Sequence, residues 1–175
     1  MPFVKEADES NPEISSLYKE INDELQIGKI PNILKTTSID PLIAKWFWDG
    51  VKIILLRESS ISRILKESIA VVVSNANSCE YCTQAHAMLL QLMGFTDEKI
   101  TDLKNNFEGF SDKEKAALNY ALKINDSANK TTLDDHKILK NYGYDDKQIV
   151  EITSVVAAFN WANIIADALG TETES

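Results

Sequence analysis

The sequence predicts an all-α protein, and three observations carry that reading: apolar residues recur at helical spacing along nearly the whole chain, helix caps return at regular intervals, and no hairpin signal is present. Val71-Val72-Val73 has high β-propensity, but with no partner strand in sight it is assigned to a helix.

The elements follow in order. Asn11-Pro12-Glu13, a cap residue and a first-turn proline, opens a helix with Ile14, Leu17, Tyr18, Ile21 and Leu25 on one face and a stop at Gly28. Pro31 interrupts, a short helix covers Asn32–Thr37, and Asp40-Pro41 opens another that runs through Trp46, Phe47 and Trp48 towards Leu56. Three adjacent aromatics cannot share one helical face. Two are therefore assigned to the core and one to the surface, where an outward ring suits a subunit contact.

A helix from about Ser62 to Ala76 precedes one from Ser78 to a stop at Gly94. Thr96 caps a short helix, Ser111-Asp112-Lys113-Glu114 reads as a capping box, and Thr132 caps a further helix ending at Gly143. The last starts after Asp145 and carries Ile149, Ile152, Val156, Phe159, Asn160, Asn163 and Ile164 to Gly170.

Gly94–Ile100 resembles Gly143–Ile149 at an offset of 49 residues (143 − 94). That offset divides a single domain, 1–175, into a helical unit at 62–103 and a degenerate copy at 111–152. Ala128, Thr131 and Asp135 stand in the copy where Cys79, Cys82 and His86 stand in the first unit, so any site exists once.

At 44% hydrophobic, 175 residues suffice for one sizeable core. A net charge of −9 argues against a nucleic-acid partner, which requires clustered Lys and Arg. The polar opening MPFVKEADES and the lack of a long uninterrupted apolar run predict a cytoplasmic chain with no membrane association.

Both cysteines and one of the two histidines fall within SNANSCEYCTQAHAMLL, at Cys79, Cys82 and His86. In a reducing compartment a C-x-x-C pair is not a structural staple. With Ser78 as N-cap, the two thiols are expected in the first helical turn, on one face and close enough to form a reversible disulfide. Bringing a thiol from about pKa 8.5 to about 6.5 takes roughly 2.7 kcal/mol, and a helix terminus supplies only about 0.3–1. His86, one turn after Cys82, can take the proton or stabilise the thiolate. Its position favours Cys82 as the attacking sulfur, whereas the helix dipole favours Cys79. Glu67, at the edge of the stripe formed by Ile64, Leu65, Ile69 and Val72, is a candidate to orient the imidazole, and burial there would raise its pKa. Three other readings compete: inert core cysteines, a zinc site completed by His86 and His136, and a thioredoxin-like motif, the last opposed by the missing βαβ unit.

A glutamate twelve positions before C-x-x-C-x-x-x-H, here Glu67, Cys79, Cys82 and His86, together with KESIAVVVSNANSCEYCTQAHAMLL and VVAAFNWANIIADALG, resembles the carboxymuconolactone decarboxylase/AhpD-like family, in its alkylhydroperoxidase-type, peroxidase-related branch. The resemblance implies an AhpD-like helical fold, a homo-oligomer, and cofactor-free thiol reduction of peroxides. It implies that Cys82 becomes the sulfenic acid, Cys79 resolves it, and His86 with Glu67 relays protons. A dithiol, dihydrolipoyl or thioredoxin-like, would then reopen the disulfide at the more exposed sulfur, expected to be Cys79. Some members carry histidine where this chain has Tyr81, which removes a second base. The alternative functions are a thiol–disulfide oxidoreductase or redox sensor, and a non-catalytic structural oligomer.

Overall fold

The structure is a computed structural model describing residues 1–174. Its helices are α1 (Pro12–Leu25), α2 (Asn32–Thr37), α3 (Pro41–Val51), α4 (Arg63–Ala76), α5 (Glu80–Leu92), α6 (Asp97–Asn105), α7 (Asp112–Ser127), α8 (Leu133–Asn141) and α9 (Asp146–Leu169), and no strand occurs among the described residues. Most predicted caps operate. Asn11 accepts from the Glu13 N–H, Ser62 from Leu65, and Ser111, Thr132 and Asp145 each close a capping box.

Two junctions differ from expectation. The helix running towards Leu56 is α-helical only to Val51 and continues as a π-helical turn over Lys52–Leu56. The buried Lys66 ammonium donates to the Arg57 carbonyl at 2.8 Å, satisfying an acceptor just past that turn. The first helix ends before Gly28, with Gln26 adopting the left-handed conformation at φ 53°.

Of the three adjacent aromatics, Phe47 and Trp48 are buried and Trp46 points outward. The core divides in two. The larger part joins α4, α6, α7 and α9 around Ile69, Val71, Leu103, Leu118 and Ile152. The smaller joins α1, α2 and α3 around Ile14, Ile21, Leu34 and Trp48, and it includes Cys79, Tyr81, Cys82 and Ala166. Helix α4 is buried continuously from Leu65 to Ser74, and it packs most heavily on α5 and α9. These three helices bring the glutamate, the cysteines and the histidine to the seam between the two parts. Helix α9 has the length and mean hydropathy of a membrane span, but Asn160 and Asn163 on it hydrogen-bond to polar groups of α4 and α7 and to the turn after α4.

Candidate active site

The site begins with a helix end. Asn77 caps α4, Ser78 takes φ +62°, and the N–H groups of Ser78 and Cys79 bond to the carbonyls of Asn75 at 3.1 Å and Ser74 at 2.9 Å. This is a Schellman closure with serine in the position usually held by glycine. Ser78 is thus consumed in ending α4, and the N-cap of α5 is Cys79 instead. Cys79 therefore precedes the helix, while Cys82 lies in its first turn, where unpaired N–H groups and the dipole favour negative charge.

Both cysteines are free thiols and both are buried, Cys79 at 0% and Cys82 at 2% exposure. The expected greater exposure of Cys79 is not found, because Cys79 packs beneath the α4–α5 turn. The two sulfurs interact. The Cys79 thiol, acting as a donor, holds Cys82 below the ordinary thiol range against the opposing effect of burial, and Asn163 supports Cys82 in the same direction. Cys79 is pushed far up, by its partner first and by burial second, with Asp167 adding to the effect. The two thiols are thus shifted in opposite directions, Cys82 down and Cys79 up.

Glu67 is fully buried on α4. Its Oε2 stands 2.5 Å from His86 Nδ1, and its Oε1 accepts from the Arg63 Nε one turn earlier. Burial pushes this carboxyl up, but His86 and Arg63 together bring it below the usual glutamate value. The expected elevation is therefore reversed. An ionised Glu67 can only accept, so His86 Nδ1 carries the proton of this bond. The edge of Phe159, with ring centroids 4.6 Å apart, fixes the imidazole plane.

Cys82, His86 and Arg63 line a cavity of about 510 Å³ walled by Trp46, Phe47, Trp48, Trp161 and aliphatic side chains. Cys79 does not line it. On the other side of the α5 start lies a polar cleft of about 900 Å³ bordered by Ser78, Glu80, Tyr81 and Asp167. Tyr81 turns away from the sulfurs. Its hydroxyl accepts from the Ile33 N–H at 3.2 Å and donates to Glu174 at 2.8 Å, tying the C-terminal tail to α2.

Three contributors escaped the sequence reading. Arg63 is signalled by its i, i+4 spacing to Glu67, Asn163 only by being polar on an apolar helix, and Asp167 by nothing local. His136, weighed as a zinc ligand, stands instead 3.3 Å from the Tyr120 hydroxyl, and among the described residues no three His, Cys, Asp or Glu side chains converge as metal ligands.

The arrangement is that of an AhpD-like helical protein with a buried cysteine pair. The chain belongs to the carboxymuconolactone decarboxylase family. Residues 41–123 match the description Carboxymuconolactone decarboxylase family. The Bacillus subtilis (strain 168) protein called Uncharacterized protein YdfG is 30% identical over 136 residues, which span 73% of this chain and 91% of that protein. Among solved structures, an uncharacterized peroxidase-related protein from Silicibacter sp. TM1040 is 25% identical with a TM-score of 0.88, covering 97% of this chain and 88% of that one. An uncharacterized peroxidase-related protein from Ralstonia eutropha JMP134, described as an alkylhydroperoxidase AhpD core, superposes with a TM-score of 0.91 at 21% identity over 99% of this chain and 93% of that one. The debrominase Bmp8 in complex with 2,3,4-tribromopyrrole has the same fold, with a TM-score of 0.80 at 22% identity, over 98% and 91%.

Proposed function

We propose that this protein is a thiol peroxidase that reduces organic hydroperoxides through Cys82 and Cys79, with His86 and Glu67 as its proton relay. The observation that carries the reading is that Cys82 and His86 open into one apolar cavity while Glu67 locks the imidazole from behind. The Cys82 thiolate attacks the O–O bond, its sulfur gains the distal oxygen as sulfenic acid, and the alkoxide leaves with a proton passed through His86 Nε2. Cys79 then condenses with the sulfenic acid, releasing water and forming the disulfide. A slender dithiol such as a dihydrolipoyl group restores both thiols.

Burial of both sulfurs favours this reading over exchange with protein disulfides, since a protein surface cannot reach them as they lie. The aromatic lining also suits a halogenated ring, in which case the two thiols would supply two electrons and two protons, and the products would be the disulfide, halide, one released proton and the ring with hydrogen in place of the halogen. The test is mass spectrometry after one equivalent of organic hydroperoxide. Wild type should form a Cys79–Cys82 bridge and Cys79→Ser a trapped sulfenic acid on Cys82. Dithiol-dependent turnover should vanish in both Cys79→Ser and Cys82→Ser. Halide release from a bromoaromatic without hydroperoxide turnover would replace the reading by its alternative.

A further inference from the structure

The cavity shared by Cys82 and His86 carries a polar cluster in its wall that the peroxide chemistry does not use. Lys29, Tyr81 and Glu174 all line the cavity, and they meet at the Glu174 carboxylate. Its Oε1 accepts from the Tyr81 hydroxyl and from the Asn32 backbone N–H, each at 2.8 Å, and its Oε2 lies 3.4 Å from the Lys29 ammonium. The Glu174 side chain is only 13% exposed. A carboxylate that meets a hydroxyl, an amide N–H and an ammonium in the wall of an apolar chamber fills a complete carboxylate-binding site.

The donors belong to packed elements, whereas the carboxylate arrives on the segment that leaves α9. Tyr81 is buried, and its oxygen already accepts from the Ile33 N–H at 3.2 Å, so its single hydroxyl proton is left for the carboxylate. It directly precedes Cys82 in the first turn of α5, which fixes this donor to the same turn as the reactive sulfur. Glu174, by contrast, follows the exposed Glu172 and Thr173, whose carbonyls are held by the Asn32 side chain at 3.2 and 3.3 Å, at the long end of hydrogen bonding. A group presented in this way acts as a tethered ligand, with an effective concentration on the order of millimolar, and a free carboxylate with an apolar body can displace it. The exchange replaces one carboxylate by another, so Lys29 keeps a counter-ion and no charge is added to the cavity.

We propose, resting on the peroxidase reading, that Tyr81, Asn32 and Lys29 form a substrate subsite, that the substrate is an organic hydroperoxide whose apolar body ends in a carboxylate, and that Glu174 fills the subsite until that carboxylate displaces it. The incoming carboxylate takes over the three donors, the apolar body lies along the aliphatic and aromatic wall, and the hydroperoxide group reaches Cys82 and His86. Neutral hydroperoxides enter the same cavity without this anchor.

The test is steady-state turnover by the full-length protein of a homologous series of straight-chain ω-hydroperoxyalkanoates and their methyl esters. The readout is kcat/KM for the acid divided by that for its ester, a ratio in which general damage to the protein cancels. At the best chain length the ratio should rise about tenfold in Glu174→Ala, where the competing carboxylate is gone. Adding Tyr81→Phe to that variant should lower it again by about tenfold, since a hydrogen bond to a charged group is lost. A rise in Glu174→Ala that Tyr81→Phe leaves untouched would overturn the subsite, because deleting a negative charge alone favours the acid. The same ratio in all three proteins, with the esters still reduced, would overturn the subsite and leave the peroxidase reading intact. Reduction of neither acid nor ester by the wild type would overturn both.

Discussion

The Nδ1 of His86 stands 2.5 Å from the Oε2 of Glu67, and that carboxylate has no exposed surface. A buried charge of this kind is tolerated only with its hydrogen bonds filled, and here Arg63 fills the second oxygen.

Arg63, after His86, helps to set the pH at which this carboxylate is lost. Glu67 has its carboxyl held below the ordinary range, so its contribution to stability is present above the unfolded value of about 4.3 and is lost as pH falls through the lower folded value. Arg63→Met raises the folded value. Acid unfolding followed by circular dichroism should begin at higher pH than in wild type, with a loss at neutral pH of about 1–3 kcal/mol. Coincident acid transitions in the two proteins would contradict this role.

Asn163→Leu removes the amide beside Cys82 and should raise that thiol. At neutral pH the alkylation rate of Cys82, measured by iodoacetamide and peptide mapping, should drop about 10- to 100-fold, since a hydrogen bond to a charged group contributes about 1.5–3 kcal/mol. An unchanged rate would remove Asn163 from the thiolate's support.

The cavity predicts selectivity by size. Ala158 lies on its wall, and Ala158→Leu should raise KM for a bulky aromatic hydroperoxide by about tenfold while leaving hydrogen peroxide little affected. Equal effects on both substrates in steady-state kinetics would show that the large one binds elsewhere.

Trp46 is 58% exposed and lies against Trp161 with ring centroids 4.4 Å apart. If this outward ring seats a second subunit, Trp46→Glu should lower the mass measured by sedimentation. Wild-type protein sedimenting as a monomer would dispose of the subunit contact.

Much of this was legible in the sequence because helix ends are local. Ser62, Ser111 and Asp145 cap where their side chains and spacing require. The site motif is local too, since Cys82 and His86 are one turn apart on a single helix. Ser78 was misassigned because a residue between two helices can serve either, and the Schellman closure of α4 claims it before α5 can use it as a cap. The direction of the Glu67 shift is not legible from burial, because His86 first and Arg63 second outweigh it together. Asn163 and Asp167 stay invisible until α9 folds back across the chain, because no periodicity within α9 tells which polar side chain will meet a sulfur.

The position of α9 bears on how the protein is made. Cys79, Cys82, Glu67 and His86 leave the ribosome well before Asn163 and Asp167, so a nascent chain can hold both thiols without two of the groups that add to their opposite shifts. The Glu174 contact with Tyr81 forms later still. A chain stalled short of α9 should therefore carry a Cys82 less readily ionised than that of the finished protein, because it lacks the support of Asn163.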